Sequence, residues 1–538
     1  MRWRWALLAL GAITRIAGSV GSGVVTRSEE VRRATTIADV LPAPVRALAA
    51  EGVQFPVPAG VSIVTAADPA ADRVGVYLAD LIGGSSPRPG DERPDRGIAL
   101  ELDPAYDEEE YALEVADDGV TIRASGGAGL FWGVQTLRQL MPVTGPIVLP
   151  GVRITDRPRF AYRGVMLDVA RHFFGVATVK RLIDLAAMYK INHLHLHLSD
   201  DQGWRIATDT WPRLASVGAN TQVGGGPGGY YTADDYRDIV AYAQERFMTV
   251  VPEIDVPGHT NAVLVSYPEL AYPGARPTSY TGTRVGLSAL CPSRERTSTF
   301  LTEVLAEVAA MTPGPYLHIG GDEAFRMPAD DYAAVVTQAQ RIVAAHGKTA
   351  VGWHELGGAP LRASTVLQFW GTAPWAREVV AAVAAGNRVI MSPADRTYLD
   401  QRYGWRGGPG RTWAGPISAE RAYGWDPASY LAGVAEPAIL GVEAPLWTES
   451  VATVDEIEYL AFPRLAAIAE IGWSPRSTHD WSAFRHRLGA QGPRWEALGV
   501  NFARVPGVPW VSGPPMSSRT LVPNQRDGRE PEIDHVAP

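Results

Sequence analysis

The sequence predicts an α/β protein: a (β/α)8 TIM barrel preceded by a small α+β domain. Three observations carry that reading. From about residue 160, strand-sized apolar runs alternate with segments of helical period, the pattern of a parallel sheet covered by helices. The runs number eight, and the stretch they span exceeds the roughly 250 residues such a barrel needs. Acids and tryptophans collect at the carboxyl ends of the runs, the face on which such barrels build their sites.

The chain opens MRWRWALLALGAITRIAGS, with Arg2 and Arg4 ahead of an apolar run from Trp5 to Ile13 and then Arg15. A bilayer crossing needs about 20 apolar residues, so this run is too short to span one. It fits a signal peptide over residues 1–25, which implies a secreted or periplasmic protein; the alternative is a frayed terminus on a cytoplasmic one. Residues 41–157 read as the small domain. VSIVTA, GIALEL, YALEVA and GVTIRA are strand-sized, and GLFWGVQTLRQLM has helical spacing with Leu130, Val134, Leu137 and Met141 on one face. SGGAG before that helix lacks the Gly-Lys-Ser/Thr ending and the G-x-G-x-x-G spacing of a phosphate loop, so it reads as a turn.

Residues 158–510 read as the barrel. Its strand candidates are RGVMLDVAR, NHLHLHLSD, MTVVPEIDV, YLHIGGDE, TAVGWHE, TVLQFWG, RVIMSPA and ILGVEAPLW, with helical patterns such as TVKRLIDLAAMYK and TADDYRDIVAYAQERF between most of them. The tail, 511–538, is rich in Pro, Ser and charge and reads as disordered.

Composition narrows the function classes. A formal charge of -9 and a pI near 5.7 offer no basic stripe to neutralise phosphates, which excludes a nucleic-acid binder. The single cysteine, Cys291, excludes an internal disulfide framework and a Cys-based zinc site. No other stretch is apolar enough to span a membrane either, and the oligomeric state is left open.

Asp168 and Arg171, Asp200 and Asp201, Asp255 and His259, Asp322 and Glu323, Trp353 and Glu355, Trp370, and Trp447 and Glu449 all fall near a strand's carboxyl end. Gly320 and Gly321 relax the backbone ahead of Asp322-Glu323, so both acids can face one cavity. The competing reading makes Asp322 a helix cap and Glu323 its capping-box partner. Carboxyls beside several tryptophans suit a sugar, whose apolar faces stack on indole while its hydroxyls take hydrogen bonds. Sequence neighbours are awkwardly placed to flank a glycosidic bond as two-carboxylate hydrolysis requires. They can divide the labour instead, with Glu323 protonating the leaving oxygen and Asp322 steering a nucleophile that belongs to the substrate. His193, His195 and His197 share one strand face, but open metal sites draw ligands from several elements, so no metal is expected.

YRGVMLDVARHF, NHLHLHLSDDQGWR, PEIDVPGH, HIGGDE, VGWHE, LQFW, YLD and APLWTE, in this order, resemble the β-N-acetylhexosaminidases of glycoside hydrolase family 20 over residues 50 to 510. The resemblance implies an exo-acting, retaining enzyme that needs no cofactor. It releases terminal β-linked GlcNAc or GalNAc from an oligosaccharide through an oxazolinium ion formed by the substrate's own acetamido group. It further implies that Glu323 is the acid/base, that Asp322 holds the acetamido N–H, and that Tyr398 holds its carbonyl oxygen. Arg171, Asp400 and Glu449 would bind hydroxyls, Trp353, Trp370 and Trp447 would wall the pocket, and Asp200 with His259 would form a relay to Glu323. Arg171 could instead pair with Asp168 or Asp200, and His259 could be an exposed turn residue. Two rivals stand beside this reading: a relative that removes a disaccharide, and a lectin-like protein on an inactive barrel. The loops VGGGPGGYY and WRGGPGRTW are departures from the family pattern and read as peripheral.

Overall fold

A computed structural model describes residues 36–90 and 93–511. The signal-peptide segment 1–25 and all of the expected tail except Val511 lie outside these residues. Among the described residues, no helix is long and apolar enough to cross a membrane.

The first half-domain is a seven-stranded sheet in the order β1-β7-β5-β6-β4-β2-β3. Its strands are β1 (Arg46–Pro56), β2 (Ile63–Thr65), β3 (Arg88–Pro89), β4 (Gly97–Leu102), β5 (Tyr111–Ala116), β6 (Gly119–Ala124) and β7 (Val148–Asp156). Helices Pro69–Ile82 and Gly127–Leu140 pack on it. The SGGAG turn leads straight into the second of these helices. The four sequence-predicted strands are β2, β4, β5 and β6. β1 carries no apolar alternation because it is an edge strand with seven of its eleven residues exposed.

The second half is a closed parallel barrel. Its staves are β8 (Tyr162–Asp168), β9 (His193–His197), β10 (Thr249–Glu253), β11 (Tyr316–His318), β12 (Thr349–Trp353), β13 (Val366–Phe369), β14 (Arg388–Met391) and β15 (Ile439–Leu446), with β15 pairing to β8. Full-length helices Val176–Ala187, Ala233–Gln244, Glu295–Met311 and Ala329–Ala345 cover the early staves. Between β12 and β13 only a 3-10 turn, His354–Gly358, replaces the expected helix.

Period-two alternation stacks the barrel interior in layers. Tyr162, Val251, Val351, Val366, Ile390 and Leu440 form an apolar plug at the amino end. Above it lies a polar layer of His195, Glu253, His318, Gln368 and Glu443, all buried. Met166, Trp353, Ala394, Tyr398 and Trp447 form the apolar cap that floors the mouth.

Asp156, at the end of β7, ties the two halves. It accepts hydrogen bonds from Tyr111 Oη at 2.8 Å, Lys190 Nζ at 2.8 Å and Trp473 Nε1 at 2.9 Å. Removing one partner of such a buried ion pair costs about 3–5 kcal/mol, so Asp156 fixes how the small sheet meets the barrel.

Candidate active site

β11 ends at His318, so Asp322 and Glu323 lie beyond the pleat, as their adjacency requires. Gly320 and Gly321 have φ of 63° and 97°, and Glu323 has φ of 48°. Glycine at 320 is obligatory: a Cβ there would stand 1.8 Å from Asp255 Oδ1. That same oxygen accepts the Gly321 N–H at 3.0 Å, and Tyr332 Oη donates to the Gly321 carbonyl at 2.7 Å. The capping alternative falls, because the next helix starts at Ala329 with Pro328 as its cap.

One imidazole gathers the two acids. His259 Nε2 lies 3.4 Å from Glu323 Oε2 and 3.6 Å from Asp322 Oδ2, and its Nδ1 lies 3.1 Å from Asp200 Oδ1. His259 is buried, not an exposed turn residue. Burial disfavours its charge, but Asp200, Asp322 and Asp255 outweigh burial and hold the imidazole well above its ordinary range. Burial pushes the Asp322 carboxyl up to about 7; His259 opposes the shift while Glu323 and Glu355 reinforce it.

Arg171 does pair with its neighbouring acids: Nη2 sits 2.7 Å from Asp200 Oδ2 and Nη1 3.5 Å from Asp168 Oδ2. Its guanidinium also lies 4.8 Å over the Trp447 ring, and its buried Nε has no hydrogen-bond partner. The fork is therefore anchored at one edge and unsatisfied at the other.

The walls are aromatic. Trp353 and Trp447 ring centroids are 5.6 Å apart, and Tyr398 lies 6.3 Å from Trp447. Trp370 donates its indole N–H to both oxygens of Glu355 at 3.1 Å. Asp400 and Glu449 each keep one carboxyl oxygen without a partner. Burial and the nearby Glu449 push Asp400 up to about 8. Arg464, buried behind the loop after β14, donates to the carbonyls of Leu399 and Gln401 at 2.6 Å each and of Ile417 at 3.2 Å, which fixes the segment bearing Tyr398 and Asp400.

The other acids at the strand ends serve the loops. Asp168 Oδ1 accepts the N–H groups of Ala170 and Arg171, and Asp201 Oδ1 accepts from Asn261 N and Ser288 Oγ. Sequence reasoning gave no role to Glu355, Trp413 or Glu253. Glu355 is pushed up to about 7 by burial and the nearby Glu323, against its bonds to its own backbone and Trp370. Trp413 belongs to a loop read as peripheral, yet its ring lies 5.8 Å from Tyr398 and 6.0 Å from Trp370. Glu253 is a lone acid on the inner face of an apolar strand, and that isolation was its signal.

A carboxyl pair, a set of buried charges with unpartnered atoms and a cage of indoles at the carboxyl end of a (β/α)8 barrel define a glycoside hydrolase. Comparison with known proteins makes the assignment specific. Residues 160–335 and 327–476 match the catalytic domain of glycosyl hydrolase family 20, and residues 38–157 match domain 2 of the same family. A β-N-acetylhexosaminidase of Cellulomonas fimi is 41% identical over 88% of this chain and 97% of its own length. Among solved structures, a family 20 β-N-acetylhexosaminidase from Streptomyces coelicolor A3(2) is 49% identical with a TM-score of 0.85, covering 89% of this chain and 99% of that one. A Streptomyces plicatus β-hexosaminidase mutant in complex with its product GlcNAc is 50% identical with a TM-score of 0.86, at 89% and 99% coverage. This chain belongs to glycosyl hydrolase family 20.

Proposed function

We propose that the protein is an exo-acting, retaining β-N-acetylhexosaminidase that releases a terminal non-reducing N-acetylhexosamine by substrate-assisted catalysis. The observation that carries the reading is the shared contact of Asp322 and Glu323 with His259 Nε2, at 3.6 and 3.4 Å. Two acids on one imidazole stand on the same side of the pocket. Two-carboxylate hydrolysis needs them about 5 Å apart or more across the bond, and family 20 is itself a recognised exception to that arrangement.

Glu323 donates its proton to the leaving oxygen as the acetamido oxygen of the bound sugar attacks the anomeric carbon. Asp322 holds the acetamido N–H, and Tyr398 holds the carbonyl oxygen in line. Burial pushes the Asp322 carboxyl up to about 7 in the free pocket; its ionised form is the one that stabilises the oxazolinium ion as positive charge develops beside it. Glu323 then takes a proton from water, which opens the ring with retention. Asp200 holds His259 behind the pair. Arg171, Asp400 and Glu449 bind the hydroxyls of the terminal sugar, and Trp353, Trp370 and Trp447 enclose its ring. Relatives bearing the names β-N-acetylhexosaminidase and β-hexosaminidase support this substrate class.

The test compares 4-nitrophenyl N-acetyl-β-glucosaminide with the plain β-glucoside. The acetylated sugar should be cleaved at least about 10³ times faster, and Asp322→Asn should lose about 10²–10³-fold in kcat while remaining folded. Equal rates on both sugars, or wild-type turnover by the Asp322 variant, overturn the mechanism.

A further inference from the structure

We propose that Glu253 is a positioning residue for this reaction: one oxygen of its carboxylate orients the pocket floor, and the other orients the relay behind the two acids. The inference rests on the hexosaminidase reading above and extends it to a residue below the pocket. Glu253 ends β10 and is fully buried. Its Oε1 accepts the Trp353 indole N–H at 2.9 Å and lies 3.0 Å from His318 Nδ1. His318 is the last residue of β11, at the root of the glycine loop, and the Gly320 N–H comes within 3.1 Å of the same nitrogen.

The second oxygen faces the other way. Oε2 lies 3.1 Å from His195 Nε2 and forms a very short hydrogen bond with His197 Nδ1. The far side of that imidazole, His197 Nε2, is 2.9 Å from Asp200 Oδ2, and Asp200 Oδ1 in turn holds His259. A line of contacts thus runs from Glu253 through His197, Asp200 and His259 to Asp322 and Glu323, while a single bond reaches the indole under the sugar.

Charge fits the geometry. Burial would push the Glu253 carboxyl up, but His197, His318 and His195 outweigh burial and hold it well below the carboxylate range. Burial would strip the proton from His197, but Glu253 and Asp200 hold it well above the imidazole range, with Arg171 opposing. The result is a buried cation between two anions. Asp255 and Asp322, facing from above, are each pushed up in part by the Glu253 charge. A neutral group at 253 would leave His197 with one counter-charge and slacken the arm that sets Asp200 and His259.

The experiment is steady-state kinetics on 4-nitrophenyl N-acetyl-β-glucosaminide with E253Q, H197Q, the E253Q/H197Q double variant and W353F. Wild-type turnover of that substrate tests the hexosaminidase reading by itself; only the variants test Glu253. H197Q should lose about 10²-fold in kcat, the scale of a small misplacement of catalytic groups, with KM changed by less than about threefold. W353F should raise KM more than it lowers kcat, and E253Q should do both. The double variant should lose no more kcat than H197Q alone, because residues that act through one another are not additive. Losses that multiply in the double variant, or a wild-type kcat in H197Q, overturn the proposal. Circular dichroism accompanies each variant. If E253Q fails to fold, the split of kcat to H197Q and KM to W353F supports the proposal, and parallel changes in both constants overturn it.

Discussion

Glu253 and Glu443, inside the barrel, and Asp322, Glu355, Asp400 and Glu449, at its mouth, are all carboxyl groups largely withdrawn from water, yet their surroundings hold them in opposite states. Burial raises every one. Inside, histidines, Tyr162 and Gln368 overcome burial: Glu443 accepts from Tyr162 Oη at 2.5 Å and Gln368 Nε2 at 2.7 Å, contacts His195 Nδ1 at 2.9 Å, and is held below the carboxylate range. At the mouth, burial prevails and each carboxyl is raised. Asp322, Asp400 and Glu449 also keep oxygens that nothing in the protein satisfies. A buried polar atom without a partner costs about 1–3 kcal/mol, a cost that a sugar bound as proposed above would remove at the mouth. On the proposed mechanism the mouth set carries the chemistry and the interior set carries the architecture, with Glu253 also aligning the site through His197 and Trp353.

The comparison breaks most visibly at Glu323. Glu323→Gln should lose about 10⁴-fold in kcat/KM on chitobiose, whose leaving group needs a proton, and far less on a dinitrophenyl glycoside that does not. Equal losses would remove the acid role and with it the claim that this face does the chemistry.

An interior substitution away from Glu253 and His197 should act on stability instead. Glu443→Gln leaves His195 facing a neutral amide and should cost about 3 kcal/mol of unfolding free energy, read by urea titration. Its kcat/KM per folded molecule should stay within about threefold of wild type. A large loss of activity without loss of stability would erase the distinction between the two layers.

The smallest expected effect is a slope. Asp322 and Glu355 are pushed up to about 7 and Asp400 to about 8, whereas the unfolded chain releases these protons near pH 4. Between about pH 4 and pH 7 the folded protein therefore holds more protons than the unfolded one, and these groups make stability fall as pH rises. His259, raised against burial by Asp200, contributes in the same sense only from about pH 6.5 upward, where the unfolded imidazole loses its proton. Glu355→Gln removes one of these protons, so its plot of melting temperature against pH should be shallower across that window. An unchanged slope would mean that Glu355 is not held protonated.

The barrel was legible because parallel strands buried on both faces are short apolar runs: GVML and ILGVEAPL stand out in any reading of the chain. The break in the strand ahead of Asp322 and Glu323, the proposed catalytic pair, was legible because two acids after two glycines cannot both point inward from a pleated strand. Helix Pro69–Ile82 was missed although Ala71, Val74, Gly75, Leu78 and Ala79 recur at helical spacing and form its buried face. The three histidines of β9 show what sequence cannot supply. Their spacing shows a shared face, but their partners come from elsewhere: Tyr162 stacks on His193 at 3.9 Å, Glu443 bonds His195, and Glu253 bonds His197. Trp413 was missed for the same reason, because only the folded loop brings it beside Tyr398.

The arginine behind the Tyr398 loop separates two jobs that a single surface segment would otherwise share. Arg464 grips the backbone at 399, 401 and 417, so the stretch between 402 and 416 is clamped at both roots while Trp405 projects 73% exposed from its middle. A change at the exposed crest around Trp405 is therefore insulated from Tyr398 and Asp400, whose backbone is held from behind rather than by the crest itself.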